Sequence, residues 1–502
     1  MRDPQAVASH AQTEVQRTAV IELLRITPLL GTLAERFAVA GRQLYLVGGS
    51  VRDALLGRLG TDLDFATDAR PEQIQQLLGG WADAVWDTGI AFGTVGAVTS
   101  GTTVEITTFR ADNYDGVTRN PAVVFGDSIE GDLLRRDFSV NAMAVDLSTK
   151  SLIDPHGGME ALLAGVLDTP ATPQRSFADD PLRMLRAARF VAQLGFDVAP
   201  RVVEAMTEMA DHIDRISVER VQAELSKLLC GSHPRDGVEL LTHTGLAQRI
   251  LPEVPGMRLA IDEHHQHKDV YEHSLTVLDQ AIALETGGSD LTLRLAALLH
   301  DIGKPNTRRF IAGGGVSFHH HEVVGAKLVR KRLRALKYPK DIVNDVATLV
   351  YLHLRFHGYG TGEWTDSAVR RYVTDSGPLL PKLNKLVRAD CTTRNRRKAA
   401  ALQRTYDDLE ARMAALAEQE NLARVRPDLD GNEIMRLLGL PPGPLVGAAW
   451  RYLKELRLDR GPLEHDEAVA ALREWAAGQG LGEAAGDSGQ QNTSGATSST
   501  AG

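Results

Sequence analysis

Asp62 and Asp64 sit two residues apart in the run DLDFAT, where Leu63 and Phe65 alternate with them as in a half-buried strand. Side chains two apart on a strand share a face, so both carboxylates project together. Such a pair repels itself unless a hard cation lies between its oxygens, and Mg2+ accompanied by substrate phosphates is the usual partner. Upstream, the apolar run Leu44 to Val47 leads into Gly48, Gly49 and Ser50, and Val51 to Leu59 then takes helical spacing. Glycines between a strand and a helix start bring bare N–H groups and the positive helix end up to an anion, which makes this stretch a phosphate seat. Without that seat, the two aspartates would read as a solvated turn. Glu105 points away from Val104 and Ile106 in its own β-like run, so it joins the aspartates if the two strands are neighbours.

The elements that must position these groups begin with a helix expected over Val20 to Ala38 and another over Pro71 to Leu78. Strands are expected over Thr94 to Thr99 and Thr103 to Phe109, joined by the turn signal Ser100-Gly101-Thr102. Residues 110 to 130 are polar and without period, which marks a loop or lid. From Phe177 to about residue 477 the pattern is helical, with breaks at Pro200, Gly231 to Pro234 and Pro252 to Gly256. The expected fold class is therefore α+β, a mixed sheet with helices followed by a long all-α region. The expected divisions are a disordered lead-in over 1–15, a catalytic head over 16–150, a helical neck over 151–255, a second helical domain over 256–400, a helical tail over 401–479 and a disordered Gly- and Ser-rich tail over 480–502.

Composition narrows the class. The 502 residues are too many for one core, and 43% hydrophobic with 24% charged residues is ordinary for a soluble globular protein. No run reaches the length of a membrane span and the first residues lack a signal-peptide core, so a cytoplasmic location is expected. Cys230 and Cys391 are far apart and in no metal spacing, which argues against disulfides or a zinc knuckle. A net charge of −9 supplies no global basic field, so a polyanionic partner must be held by local patches.

Four motifs in order, GGSVRD with TDLDFAT, RRDFSVNAMA, DPHGGMEALLAGVLDT and DDPLRMLRAARF, resemble the class II tRNA nucleotidyltransferases, or CCA-adding enzymes, of the polymerase β superfamily, bacterial type. They cover residues 44 to 190, and ISVERVQAELSKLL from Ile216 resembles that family's helical neck. The resemblance implies a polymerase-β-like head that adds CCA to the 3′ end of tRNA from CTP and ATP, without a nucleic-acid template, releasing pyrophosphate. It implies that Asp62 and Asp64 hold two Mg2+ ions, with Glu105 a less closely matched acidic position. Gly49 and Arg52 would seat the triphosphate, and Arg136, Asp137 and Asn141 would contact ribose and triphosphate. Were the seat absent, Arg135-Arg136-Asp137 would read as a surface ion-pair cluster.

Asp180 and Arg183, three apart in a helical pattern, differ by about 60° around the axis and are expected as neighbours, with Arg186 and Arg189 continuing a drifting basic stripe. A carboxylate beside a guanidinium can accept from the exocyclic amine of a base and donate to its ring nitrogen and carbonyl. Cytosine and adenine carry that amine, whereas uracil and guanine present a carbonyl. In the resembling family the matching residues are credited with this selection; its usual EDxxR begins here with Asp179. The plainer reading is an i to i+3 salt bridge at a helix start, with Pro181 in the first turn.

A second constellation comprises His273, the dyad His300-Asp301 in LLHDIGKP, and Asp390 in LVRADCT. It resembles the HD superfamily of metal-dependent phosphohydrolases and implies a divalent metal of unknown identity, with His321 and His353 as further candidates for a binuclear site. Basic clusters at Arg330-Lys331-Arg332 with Arg334 and Lys337, at Arg394 with Arg396-Arg397-Lys398, and at Arg451 with Lys454 and Arg457 are candidates for phosphate contacts along tRNA. Three alternatives stay open: a poly(A) polymerase of the same family, an enzyme adding only CC or only A, and an HD phosphohydrolase with an RNA-binding head. The segment DTGIAFGTVGAV matches CCA-adding members, in place of the basic, aromatic-containing segment of bacterial poly(A) polymerases.

Overall fold

Leu44–Val47 form β1, and all four residues are buried because the strand is flanked on both edges by other strands and covered on both faces. The other strands of the head are β2 (Asp62–Thr67), β3 (Ala84–Trp86), β4 (Thr94–Thr99), β5 (Thr102–Thr108), a separate hairpin of β6 (Arg110–Asp112) and β7 (Val123–Phe125), then β8 (Ala144–Asp146) and β9 (Leu152–Ile153). The main sheet runs β3-β4-β5-β2-β1-β8-β9. β2 and β5 are parallel neighbours, with Asp62 opposite Thr103 and Asp64 opposite Glu105. Leu63, Phe65, Val104 and Ile106 fill the opposite, buried face. There α3 (Pro71–Leu78) sets Ile74 and Leu78 against the sheet, following a helix over 28–39, here α1, and α2 (Gly49–Leu55). α2 starts two residues before the apolar spacing does and stops short of Leu59, because Gly57 takes a left-handed φ of 70°.

The computed structural model describes residue 22 and residues 28–87, 89–90, 93–112, 123–126, 128–258, 269–311, 316–358, 364–392, 395–420 and 426–481. The expectations for the lead-in, for the centre of the loop 110 to 130, for Arg394 and for most of the tail after 480 lie outside the described residues. Residues 1–347 form one unit and 348–502 a second. Among the described residues no helix is long and apolar enough to cross a membrane.

Beyond the sheet, the first unit continues with α4 (Ile129–Leu134), α5 (Gly158–Ala164), α6 (Pro173–Asp179), α7 (Leu182–Leu194), α8 (Pro200–Glu208), α9 (Val218–Leu229), α10 (Pro234–His243) and α11 (Leu246–Ile250). α7 is the axis of this part, packed against both α9 and α10. The short parallel pair β10 (Val166–Leu167) and β11 (Asp197–Val198) interrupts what the sequence reads as purely helical. Then come α12 (Val270–Ala283), α13 (Leu291–Leu299), α14 (Lys304–Thr307), a hairpin of β12 (Arg309–Phe310) and β13 (Val316–Ser317), and α15 (His321–Ala335). α13 is apolar on nearly every side because it is enclosed, and its buried Arg294 is satisfied by Glu285 and by the carbonyls of Leu229 and Gly231. In the second unit, the helices Gly431–Leu438, Pro444–Arg460 and His465–Gly478 share a core of Ile434, Ala449, Leu453, Ala468 and Leu472.

The turn after α13 and the start of α15 meet through Gly303, where a Cβ would fall 2.1 Å from the His321 carbonyl oxygen. Gly303→Ala is expected to force these backbones apart at a cost of about 1–3 kcal/mol. A lowered thermal unfolding midpoint checks this; an unchanged midpoint would show that the approach is not needed.

Candidate active site and metal centre

Gly48 ends β1 with φ 67° and ψ −131°, a conformation open to glycine, and a Cβ there would lie 2.6 Å from Arg136 Nη1. The chain can thus turn into α2 with Gly49 as its first residue. Ser50 Oγ accepts a hydrogen bond from the Asp64 amide at 2.9 Å, which ties the glycine turn to the acidic strand. Asp62, Asp64 and Glu105 all reach solvent on one face of β2 and β5. The protein packed around Asp64 still withholds enough water to raise its pKa, and Glu105 and Asp62 raise it further, against the opposing charges of Arg136 and Arg52. Three acceptor-only groups crowded in this way fit a hard divalent cation.

Arg52 is buried midway along the seven residues of α2, donating to Asn141 Oδ1 at 2.6 Å and to the Asp53 carboxylate at 2.9 and 3.0 Å. Asn141 Nδ2 donates to Asp137 Oδ1 at 3.0 Å, and Arg186 of α7 donates to Asp137 Oδ2 through Nε at 2.8 Å and Nη2 at 2.5 Å. A continuous chain Arg52–Asn141–Asp137–Arg186 therefore runs from the glycine turn to the neck. Phe190 of α7 underlies it, with the Arg52, Arg186 and Arg189 guanidinium carbons 5.2, 5.6 and 4.4 Å from the ring centre. Arg189 drifts out of the stripe and buries an ion pair with Glu224 of α9 at 3.2 Å. Arg136 shares the buried Asp132 with Arg135.

The expected side-by-side pair of Asp180 and Arg183 is not what the fold builds. α6 stops at Asp179 and α7 starts at Leu182, so Asp180 has extended backbone and is not on the helix. Pro181 explains the break, since a residue before proline is driven out of the helical region. Asp180 Oδ1 caps the Leu182 amide at 3.1 Å and Oδ2 pairs with Arg220 of α9 at 2.8 Å. Arg183 instead donates to Ser176 Oγ at 2.9 Å and to the Arg135 carbonyl at 2.5 Å. The simple i to i+3 salt bridge is likewise replaced by the Arg220 pair.

In the helical part, His273 of α12, His300-Asp301 after α13 and His321 of α15 converge. His300 Nε2 lies 3.3 Å from His273 Nε2 and 3.2 Å from Asp301 Oδ2, and His321 Nε2 lies 3.2 Å from Asp301 Oδ1. His300 Nδ1 faces the Ala297 carbonyl at 2.8 Å and His321 Nδ1 faces the Phe318 carbonyl at 2.8 Å. A carbonyl only accepts, so each Nδ1 bears a proton, and in the cation-binding form of each ring the Nε2 lone pair faces the carboxylate. Lone pairs set against a carboxylate fit a bound cation with mixed nitrogen and oxygen ligands. Asp390, following the helix Leu380–Ala389, and His353, whose Nδ1 faces the Val350 carbonyl at 2.6 Å, belong to the second unit.

Comparison with known proteins gives these clusters a common context. The model "Poly A polymerase head domain" matches residues 44–168, "Probable RNA and SrmB- binding site of polymerase A" matches 195–257, and "HD domain" matches 270–418. An A-adding tRNA nucleotidyltransferase of Deinococcus radiodurans is 34% identical over 441 residues, covering 86% of this chain and 95% of the relative. The chain belongs to the tRNA nucleotidyltransferase family. A CCA-adding enzyme of Anoxybacillus flavithermus is 30% identical over 440 residues, covering 87% of this chain and 93% of the relative. The crystal structure of the Bacillus stearothermophilus CCA-adding enzyme in complex with CTP matches with a TM-score of 0.66 and 27% identity, over 91% of this chain and 98% of that one. Nucleotidyltransferase heads and HD domains work with divalent metals, in keeping with both donor sets.

Several site residues of this family member escape a reading by motif. Asp132 is 1% exposed and pairs with Arg135 and Arg136, three and four residues on; that helical spacing was a visible signal. Arg220, Ser50 and Glu224 carry no such signal, because each meets its partner across a distance in sequence. The basic clusters are partly spent inside the protein: Arg332 pairs with Glu253, Lys337 with Glu219 and Arg457 with Asp428.

Burial alone would raise the Asp137 pKa, but the charge of Arg186 and the hydrogen bonds of Asn141 and Arg186 lower it far below the ordinary 3.8. A carboxylate with a depressed folded pKa stabilises the fold in full above its unfolded value and loses that contribution as pH falls below it. Asp137→Asn is expected to cost about 2 kcal/mol at pH 7, less than a fully buried pair because Arg186 keeps part of its side chain in water. Denaturant titrations of both proteins should show this gap at pH 7 and its narrowing below about pH 4. A gap independent of pH would show that the charge is not the stabilising feature.

Proposed function

We propose that this protein extends the 3′ end of tRNA by template-independent nucleotidyl transfer, adding CCA from CTP and ATP with release of pyrophosphate, in the cytoplasm. The observation that carries the reading is the in-register placement of Asp64 beside Glu105, with Asp62 on the same face and the glycine turn at the next strand. The acceptor's 3′ oxygen attacks the α-phosphorus, its proton is lost, and the bond to the pyrophosphate oxygen breaks. Two Mg2+ ions held by Asp62, Asp64 and Glu105 would lower the pKa of the hydroxyl and offset the charge of the leaving group. Gly49 and Arg52 orient the triphosphate, Arg136, Asp137 and Asn141, with Arg186 on Asp137, hold the ribose side, and Asp180 with Arg183 selects the base. Support for tRNA as acceptor comes from the full-length relatives, an A-adding tRNA nucleotidyltransferase and a CCA-adding enzyme.

A second reading, addition of the terminal A alone, is favoured by the full-length likeness to the Deinococcus A-adding enzyme. Transcripts ending at the discriminator base or after CC, given CTP and ATP separately and together, separate the two when product ends are sequenced. CCA addition requires two C residues from CTP on the shorter transcript; A-only addition leaves that transcript unextended, and a long A tract would reveal a poly(A) polymerase. Asp62→Ala and Asp64→Ala are each expected to abolish incorporation of both nucleotides while tRNA binding stays nearly unchanged. Incorporation retained by either variant would remove its carboxylate from the reaction.

For the second cluster, we propose a divalent metal held by His273, His300, Asp301 and His321, in a centre able to activate water against a phosphate ester. Elemental analysis of the purified protein is expected to find bound divalent metal that His300→Gln reduces while the unfolding midpoint stays in the native range. Equal metal content in both would exclude His300 as a ligand.

A further inference from the structure

β3 is the edge strand of the main sheet, and all three of its residues are exposed. Its last residue, Trp86, is opposite Gly96 on β4, Gly96 is opposite Glu105 on β5, and Glu105 is opposite Asp64 on β2. Directly opposed residues on paired strands share a face, so Trp86, Glu105 and Asp64 stand in one row across the open side of the sheet. The indole lies on the glycine: a Cβ at Gly96 would fall 2.2 Å from Trp86 Nε1 and 2.3 Å from its Cε2. With one side against β4, the residue is still 36% exposed. Beside the row, Thr94 and Thr107 are hydrogen-bonded at 2.9 Å and Arg110 donates to Thr94 at 3.2 Å, which sets a cation along its flank.

The strand order gives this row a direction. The glycine turn follows β1, the acidic residues are on β2 and β5, and the indole overlies β4. In an in-line displacement the attacking oxygen approaches the phosphorus opposite the leaving pyrophosphate. With the triphosphate seated toward β1, the acceptor strand therefore comes in over β5 and β4. Strands are about 4.8 Å apart, so the indole is about two strand spacings from that of Asp64, comparable to the reach of a nucleotide from its 3′ oxygen to its base.

We infer that Trp86 is a stacking platform for the 3′-terminal base of the RNA acceptor, held flat by Gly96; this rests on the tRNA-extending reading above. Stacking on an indole tolerates every base, which suits an acceptor end whose base changes as nucleotides are added.

The test is addition of A from ATP to a tRNA minihelix ending in CC, a step shared by full and A-only addition. The wild type is compared with Trp86→Phe, Trp86→Leu and Trp86→Ala, on minihelices carrying either a normal or an abasic last nucleotide. Trp86→Leu and Trp86→Ala are expected to raise KM for the RNA about tenfold with KM for ATP unchanged, and Trp86→Phe to stay within about threefold of wild type. The abasic end should raise the wild-type KM about tenfold and add nothing in Trp86→Ala. Wild-type behaviour of Trp86→Leu would reduce Trp86 to an apolar cover for an edge glycine and overturn the inference, as would an equal abasic penalty in wild type and Trp86→Ala. If Trp86→Ala fails to fold, the Leu and Phe variants decide. Failure of the wild type to extend any minihelix would instead sink the underlying reading.

Discussion

The negative charge of Asp137 is buried, and the glycine turn and α7 are brought together around the partners that charge demands. A carboxylate removed from water is costly unless hydrogen bonds and an opposite charge replace the lost hydration. Asp137 obtains them from Asn141 and the Phe138 amide on its own segment and from Arg186 on α7. Asn141 spends its amide on Asp137 and so turns its carbonyl oxygen to Arg52, which is drawn to the start of α2 beside the glycine turn. One buried charge thereby fixes where a head arginine and a neck helix lie with respect to each other.

The acidic row obeys the opposite logic. Asp62, Asp64 and Glu105 are held by backbone register alone, on strands whose other faces are sealed by Leu63, Phe65, Val104 and Ile106. A one-residue slip of β5 against β2 would turn Glu105 into that apolar layer, so the core chooses the register and the register delivers the carboxylates. Their mutual repulsion is left in place, visible in the raised pKa of Asp64. A site that keeps such repulsion is poised for a cation, whereas Asp137, neutralised from within, is suited to positioning.

What could be read from the sequence follows the same division. β1, β2, α3, β4 and β5 were legible because apolar period and turn residues are local signals, and the joining of Glu105 to the aspartates followed once β2 and β5 were neighbours. The glycine turn and the His300-Asp301 dyad were legible as short motifs. Asp180 was misplaced because the helical period was carried back through Pro181, and the steric effect of that proline outweighs the period. Arg220, Phe190 and Trp86 stayed hidden for another reason. Arg220 and Trp86 acquire their meaning from partners brought near only by the packing of α7 on α9 or by the sheet, and Phe190 acquires part of its own from Arg52 of α2; no spacing along the chain encodes that proximity.

On the proposed reading, the arrangement at Asp180 and Arg183 bears on how a base is chosen. Both side chains already have partners: Arg220 and the Leu182 amide hold Asp180, while Ser176 and the Arg135 carbonyl hold Arg183. A base edge must compete with these, offering an amine to Asp180 and acceptors to Arg183. A hydrogen bond to a charged group contributes about 1.5–3 kcal/mol. A base that satisfies both residues can therefore offset what it displaces, whereas one presenting a carbonyl to Asp180 sets acceptor against acceptor and leaves the carboxylate with Arg220. Internal partners of comparable strength thus act as part of the selection, because they raise the threshold that a mismatched edge fails to reach.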